Sequence, residues 1–161
     1  MYLKNVFLGN RVWVDPTSSI NNVCIGDDVF IDKKCSIFGR DGQLLEIGSY
    51  SRIGMYSILN GYNALLKIGS HCSIGPMCQF MADSGPSANP RLLVKYPIVK
   101  APVTVGDHCY IGAACIVITG VTGVTIGECS MIEPNSFVNR DVPPYSVYGG
   151  SPAKFIRKVE I

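Results

Sequence analysis

The sequence predicts an all-β solenoid of about six triangular coils, and three observations lead there. Ten six-residue blocks open with Ile or Val, at Ile25, Ile31, Ile47, Ile53, Ile68, Ile74, Val105, Ile111, Ile126 and Ile132. The second position is Gly except at Asp32 and Glu133, and the fifth is small: Val29, Cys35, Ser51, Ser57, Cys72, Cys78, Cys109, Cys115, Ser130 and Ser136. Six residues after each second block stands another apolar residue (Ile37, Leu59, Phe80, Val117, Val138), so the blocks come in threes.

One aliphatic and one small residue in every six is what a narrow three-sided prism needs inside, and neither helical nor hairpin spacing reproduces it. A weaker triplet at Leu8, Val14 and Ile20 adds a first coil. Stacked short repeats bury a continuous core between neighbours. Six coils at a strand spacing of ~4.8 Å span roughly 25 to 30 Å. The second-position glycines suit corners where a side chain would clash or where φ is positive.

Between first blocks the coils advance by 22, 21, 37 and 21 residues, and every surplus over 18 falls between the third block of one coil and the first of the next. All extra material is therefore expected at one corner. The duplication is visible in LLEIGSYSRIG, which recurs as LLKIGSHCSIG 21 residues later. The longest surplus lies within residues 81–102 (MADSGPSANPRLLVKYPIVKAP), too polar and proline-containing for a buried strand, and reads as an excursion loop. Long loops on a rigid scaffold commonly carry function. A smaller surplus, ITGVTG at residues 118–123, falls at the same corner. It reads either as part of a cofactor cleft or as a tolerated hairpin. From Asp141 the repeat lapses; residues 141–161 are expected to cap the last coil, with Pro143, Pro144 and Pro152 preventing regular ladder pairing.

The chain thus reads as one domain over residues 1–161: coils at 8–140 and a cap at 141–161. Its hydrophobic content is 47%, yet no run approaches the ~18 apolar residues of a spanning helix. Met1 to Asn10 has no apolar leader, so a cytoplasmic location is expected. A formal charge of +2 with 16% charged residues gives no basic field for nucleic acid. Five of the seven cysteines occupy the small inward position, and no C-x-x-C pair exists, so they read as core residues; Cys24 and Cys129 stay unassigned.

The [LIV]-G-x-x-[small]-x hexad resembles the hexapeptide-repeat acyltransferases, whose fold is a left-handed parallel β-helix. The stretches PVTVGDHCYIGAACIVI and VTIGECSMIEPNSFVNRDVPPYSVYGGSPAKFIRK, within residues 102–158, closely resemble the galactoside, maltose and xenobiotic acetyltransferase branch. The resemblance implies acetyl-CoA as co-substrate, a homotrimer, and coenzyme A lying between two prisms against Ala113, Pro134, Asn139, Arg140, Lys154 and Arg157. It also implies a loop that reaches a neighbouring subunit and carries a catalytic histidine. This loop has none; alignment puts the absent residue at Gly85 or Pro86, beside Asp83 and Ser84.

Three readings of the chemistry follow. An amine acceptor needs less help than a hydroxyl, whose deprotonation is worth ~100- to 10,000-fold in rate. Alternatively Asp83 serves as base, or a coil histidine does: His71 and His108 hold the fourth hexad position in consecutive coils, with Asp28, Tyr50 and Cys129 at equivalent places, and should stack outward. Asp83 equally suits a turn before Ser84-Gly85-Pro86. Asn60, Tyr62 and Asn63, one coil earlier, are candidate acceptor contacts or an ordinary turn. The expected function is acetyl transfer from acetyl-CoA to a hydroxyl or amine of a sugar or nucleotide-linked sugar, in surface-polysaccharide synthesis. The rivals are a non-catalytic β-helical scaffold and a zinc hydratase of the γ-carbonic-anhydrase type. The last needs three histidines where the chain has two, so no metal is expected.

Overall fold

Each hexad spends two or three residues on a strand and the rest on a corner, and the strands stack in parallel across coils. A computed structural model of the chain describes residues 3–161. Of the N-terminal stretch Met1 to Asn10, residues 1 and 2 lie outside the described residues.

The first face stacks Val6–Leu8, Val23–Ile25, Leu45–Ile47, Leu66–Ile68, Val103–Val105 and Val124–Ile126. The second stacks Trp13–Val14, Phe30–Ile31, Arg52–Ile53, Ser73–Ile74, Tyr110–Ile111 and Met131–Ile132. The third stacks Ser19–Asn21, Ser36–Phe38, Ile58–Asn60, Gln79–Met81, Ile116–Ile118 and Phe137–Val138. Register is kept coil to coil, as in Leu66↔Val103 and Ile74↔Ile111. Six triangular coils result, with one continuous core that includes Ile31, Leu59, Phe80 and Ile132.

The corners show why the hexad has its form. The fourth position takes left-handed backbone at all ten blocks, for instance Tyr50 (φ 60°), His71 (φ 56°), Met77 (φ 58°) and Ala114 (φ 57°). The second-position glycines are needed for space, since a Cβ on Gly75 would lie 2.7 Å from the Ala113 nitrogen and one on Gly112 2.5 Å from that of Pro134. Of the two reasons expected for those glycines, close approach applies; the positive φ belongs two residues later. The strain of left-handed non-glycine residues is offset by ladder bonds, such as His71 N–H to the Ser49 carbonyl at 2.8 Å and His108 N–H to Ser70 at 2.9 Å.

The fifth position is more than small. The Ser51 hydroxyl donates to the Gly69 carbonyl of the next coil (2.9 Å) and accepts from the Cys72 N–H (3.0 Å). Thiols donate in the same direction, less strongly: Cys35 to Gly54 O (3.2 Å), Cys72 to Gly106 O (3.1 Å), Cys78 to Gly112 O (3.2 Å) and Cys115 to Glu133 O (3.1 Å). Two internal ladders thereby satisfy corner carbonyls that the strands leave over.

The two ends differ. Ile25, Ile47, Ile68, Val105 and Ile126, in register with Leu8, are 0–2% exposed, whereas Leu8 is 49% exposed at the open first coil. At the other end Val142 bridges Ile126, Ser146–Gly150 pairs in parallel with Met131–Ile132, and Ala153–Lys158 returns antiparallel. The expectation that prolines would prevent ladder pairing in this cap is corrected. Pro143 and Pro144 precede the first cap strand and Pro152 sits in the turn between the two, so none is asked for a ladder N–H. Among the described residues no helix is long and apolar enough to cross a membrane.

Candidate functional site

All inserted segments leave the corner that joins the third face to the next first face: 61–65, 82–102 and 119–123, with 39–44 one coil below. Asp83–Ser84 pairs antiparallel with Val99–Lys100 and pinches the base of the excursion loop. Further out, the side-chain Oδ1 of Asn89 accepts from Arg91 N–H (3.1 Å) and Leu92 N–H (3.0 Å), capping the single turn Pro90–Leu93. The stretch read as irregular therefore carries short regular pieces, while Leu92, Val94 and Tyr96 stay exposed.

Where the two legs of the loop meet, Asn63, Asp83, Ser84, Gly85, Ser87 and Ile98 line a cavity of about 150 Å³. Asn63, from the turn one coil below, donates its amide N–H to Oδ2 of Asp83. Among the described residues Oδ1 of Asp83 takes no hydrogen bond. A carboxylate oxygen is thus free in a small polar cavity at the foot of the loop. A Cβ on Gly85 would stand 2.7 Å from Cα of Ile98, so no histidine fits at that one of the two aligned positions without parting the legs.

The other acceptor candidates separate. The side-chain Oδ1 of Asn60 accepts from Tyr62 N–H (3.0 Å) and closes the turn, and Tyr62 is exposed. His71 lies one full face away from Asp83, at the corner between the first and second faces. There its ring stacks on His108 (centroids 4.7 Å apart, 6° between planes) and on Tyr50 (4.8 Å, 15°). Within one protomer, then, the two catalytic candidates occupy different edges of the prism.

The cofactor candidates fall into three groups. Asn139, Arg140 and Lys154 line a cleft of about 260 Å³ between the last coil and the cap, closed by Tyr148 and Phe155. Ala113 and Pro134 stack at the corner between the second and third faces, where the Ala113 carbonyl accepts from Asn135 N–H (2.8 Å). Arg157 stands opposite Val147 on the outermost cap strand, outside that cleft. Two exposed cations beside a cleft are a chemical fit for phosphate oxygens.

Among the described residues no cysteine forms a disulfide. Cys24 is exposed on the first face and Cys129 is half-buried in the histidine column, which assigns the two left over from the sequence. Burial pushes the Cys35 thiol up. Hydrogen-bonding contact with Cys115, then burial, does the same for Cys78, and Cys72 plays that part for Cys109. These thiols are donors in the core, held in the protonated form. Among the described residues no group of His, Cys, Asp and Glu is placed to hold a metal ion.

Two signals were missed in the sequence. Serine or cysteine at nine of ten fifth positions marks a hydrogen-bonding requirement as well as a size limit. Asn63 and Asp83, 20 residues apart, are nearly one 21-residue coil apart and so stack.

No family profile matches the chain. A putative acetyltransferase of Schizosaccharomyces pombe is 36% identical over 101 residues, covering 60% of this chain and 45% of the relative. Galactoside O-acetyltransferase of Escherichia coli is 26% identical over 162 residues, covering 98% of this chain and 66% of that enzyme. The chain spans about half the length of the first curated relatives it matches. Among solved structures, AntD, an N-acyltransferase from Bacillus cereus in complex with dTDP and 3-hydroxybutyryl-CoA, superposes with a TM-score of 0.82. It is 25% identical, with 94% of this chain and 82% of that one covered. A hexapeptide-repeat acetyltransferase of Vibrio cholerae complexed with acetyl coenzyme A gives a TM-score of 0.69 at 27% identity, over 95% of this chain and 70% of that one. The homologues of this chain include acetyltransferases, galactoside O-acetyltransferase among them, and its structural neighbours include an N-acyltransferase and a hexapeptide-repeat acetyltransferase with which it shares its fold.

Proposed function

We propose that the chain transfers an acetyl group from acetyl-CoA to the amine of a nucleotide-linked sugar, with Asp83 as the general base. The observation that carries this reading is the free Asp83 oxygen in the loop cavity of a chain whose excursion loop contains no histidine. A carboxylate suits an amine, holding it through an N–H and receiving that proton when the nitrogen acquires charge. The neighbouring fold of AntD, an N-acyltransferase bound to dTDP and an acyl-CoA, supports the same acceptor class.

The free-base nitrogen attacks the thioester carbonyl carbon, the C–S bond breaks, and the nitrogen's proton passes through Asp83 to the departing thiolate. The products are an amide and free coenzyme A thiol. Arg140 and Lys154 would hold the nucleotide phosphates of coenzyme A, and Ala113 and Pro134 would flank its pantetheine arm. Asn60 and Tyr62 would meet the acceptor at the rim. Because these groups stand apart in one protomer, we take the working unit to be a homotrimer in which neighbouring prisms complete each cleft. Arg157 would then reach coenzyme A from the outer cap strand, and His71 would serve as base only if a neighbour's histidine column approached the loop cavity. The product is the kind of activated sugar consumed in surface-polysaccharide synthesis, and acetyl-CoA as donor implies a cytoplasmic reaction.

A hydroxyl acceptor is the second reading, favoured by the alignment with galactoside O-acetyltransferase over 98% of this chain. Thiol release from acetyl-CoA with dTDP-4-amino-4,6-dideoxyglucose against dTDP-glucose separates the two. Asp83→Asn should lower kcat ~100- to 10,000-fold while acetyl-CoA affinity by calorimetry stays within about twofold. Undiminished turnover in that variant overturns Asp83 as base, and absence of saturable heat with acetyl-CoA points to the scaffold instead.

A further inference from the structure

The geometry points to Asn63 as a positioning residue that fixes the Asp83 carboxylate for proton transfer, a role distinct from contacting the acceptor. The inference rests on the proposal that Asp83 is the base. Asp83 is held twice: its backbone pairs with Lys100 across the loop base, and its side-chain rotation is fixed by the Asn63 amide at Oδ2. A carboxylate attached only through its backbone swings about two torsions. With Oδ2 engaged, the rotation that carries Oδ1 is fixed, and Asp83 lines the loop cavity together with Ser84 and Ser87.

The choice of an amide is chemically apt. A lysine or arginine at this place would orient the carboxylate equally well, but its full positive charge would compete with the acceptor nitrogen and blunt the carboxylate's pull on a proton. An amide donates one neutral hydrogen bond and leaves the negative charge on the base. The arrangement has the logic of a base oriented by a third group. It also spans two coils, because Asn63 belongs to the turn below and Asp83 to the loop above. The stacking of coils is thereby what sets the aim of the base.

The test is a double-mutant cycle on the full chain with acetyl-CoA and dTDP-4-amino-4,6-dideoxyglucose, following thiol release. If that amine is not turned over, the slow hydrolysis of acetyl-CoA is followed, since water in the acceptor's place needs the same base. Asn63→Ala should lower kcat about 10- to 100-fold with the acceptor KM little changed, and Asn63→Gln should recover part of the loss. In the Asp83→Asn background, Asn63→Ala should have no further effect. In 15N-labelled protein one Asn63 side-chain amide proton should lie downfield and move back in Asp83→Ala, an outcome independent of any substrate. If Asn63→Ala raises the acceptor KM at constant kcat, or costs its full factor on top of Asp83→Asn, Asn63 touches the acceptor and the positioning role is wrong while the base stands. Full activity in Asp83→Asn removes the base itself, and this inference with it.

Discussion

Replacing Ser51 by alanine tests the internal ladder directly. Ser51 is fully buried, and its hydroxyl serves two backbone groups of the next coil, donating to Gly69 O at 2.9 Å and accepting from Cys72 N–H at 3.0 Å. Among the described residues neither group has another hydrogen-bond partner. Removing one oxygen atom opens little space, so the cost is mainly the desolvation of two orphaned groups, at ~1 to 3 kcal/mol each. Allowing for relaxation and for the hydroxyl no longer being buried, the loss is ~2 to 4 kcal/mol. At a urea slope of ~2 kcal/mol/M this lowers the unfolding midpoint by about 1 to 2 M. Ser51→Cys keeps a donor of similar shape and should lose less than about 1 kcal/mol. Both are measured by urea unfolding at one fixed protein concentration, because assembly would make the midpoint concentration-dependent. A midpoint for Ser51→Ala within ~0.3 M of the parent chain would refute the account and reduce the fifth position to a size limit.

Three further outcomes follow from the same structure. Gly112→Ala puts a Cβ 2.5 Å from the Pro134 nitrogen, backbone against backbone, and should cost ~1 to 3 kcal/mol or prevent folding. Gly120→Ala, with nothing closer than 3.6 Å, should shift the thermal midpoint little, and equal shifts would contradict the close-approach argument. Ellman's reagent should titrate only Cys24 and Cys129 in the folded protein and all seven thiols after unfolding; rapid reaction of a third would mean that the thiol ladder opens. Arg140→Ala or Lys154→Ala should weaken acetyl-CoA binding several-fold, more at low than at high salt, with Arg157→Ala, outside the cleft, weakening it less. The reverse order by calorimetry would move the phosphate site to the outer cap strand.

The triangular winding, apart from its hand, was legible because it is written in a period. Ile31, Ile53, Ile74, Ile111 and Ile132 share a spacing set by coil length, and each lies on the second face as that spacing requires. The insertion corner was legible for the same reason, since a surplus is visible wherever the period breaks. The cap was legible in its place but not in its pairing, because the ladder of Ser146–Gly150 with Ala153–Lys158 depends on a turn that no repeat announces. The site was legible only in its address. Asn63 and Asp83 could be placed at one corner from spacing, but whether they touch depends on side-chain torsions and on the closure of 83–84 against 99–100. The six cofactor candidates came from resemblance, and their distribution over three parts of one protomer is a property of the folded prism.

The confinement of every surplus residue to a single corner separates the parts of the chain that change at different costs. Two edges carry the rungs on which folding depends, and a lengthened segment there would break register above and below it. The third edge tolerates segments of unequal length because each one departs from and returns to neighbouring rungs. A lineage can therefore trade inserts at that margin, and with them the residues around the Asp83 cavity, leaving the shaft that bears them untouched.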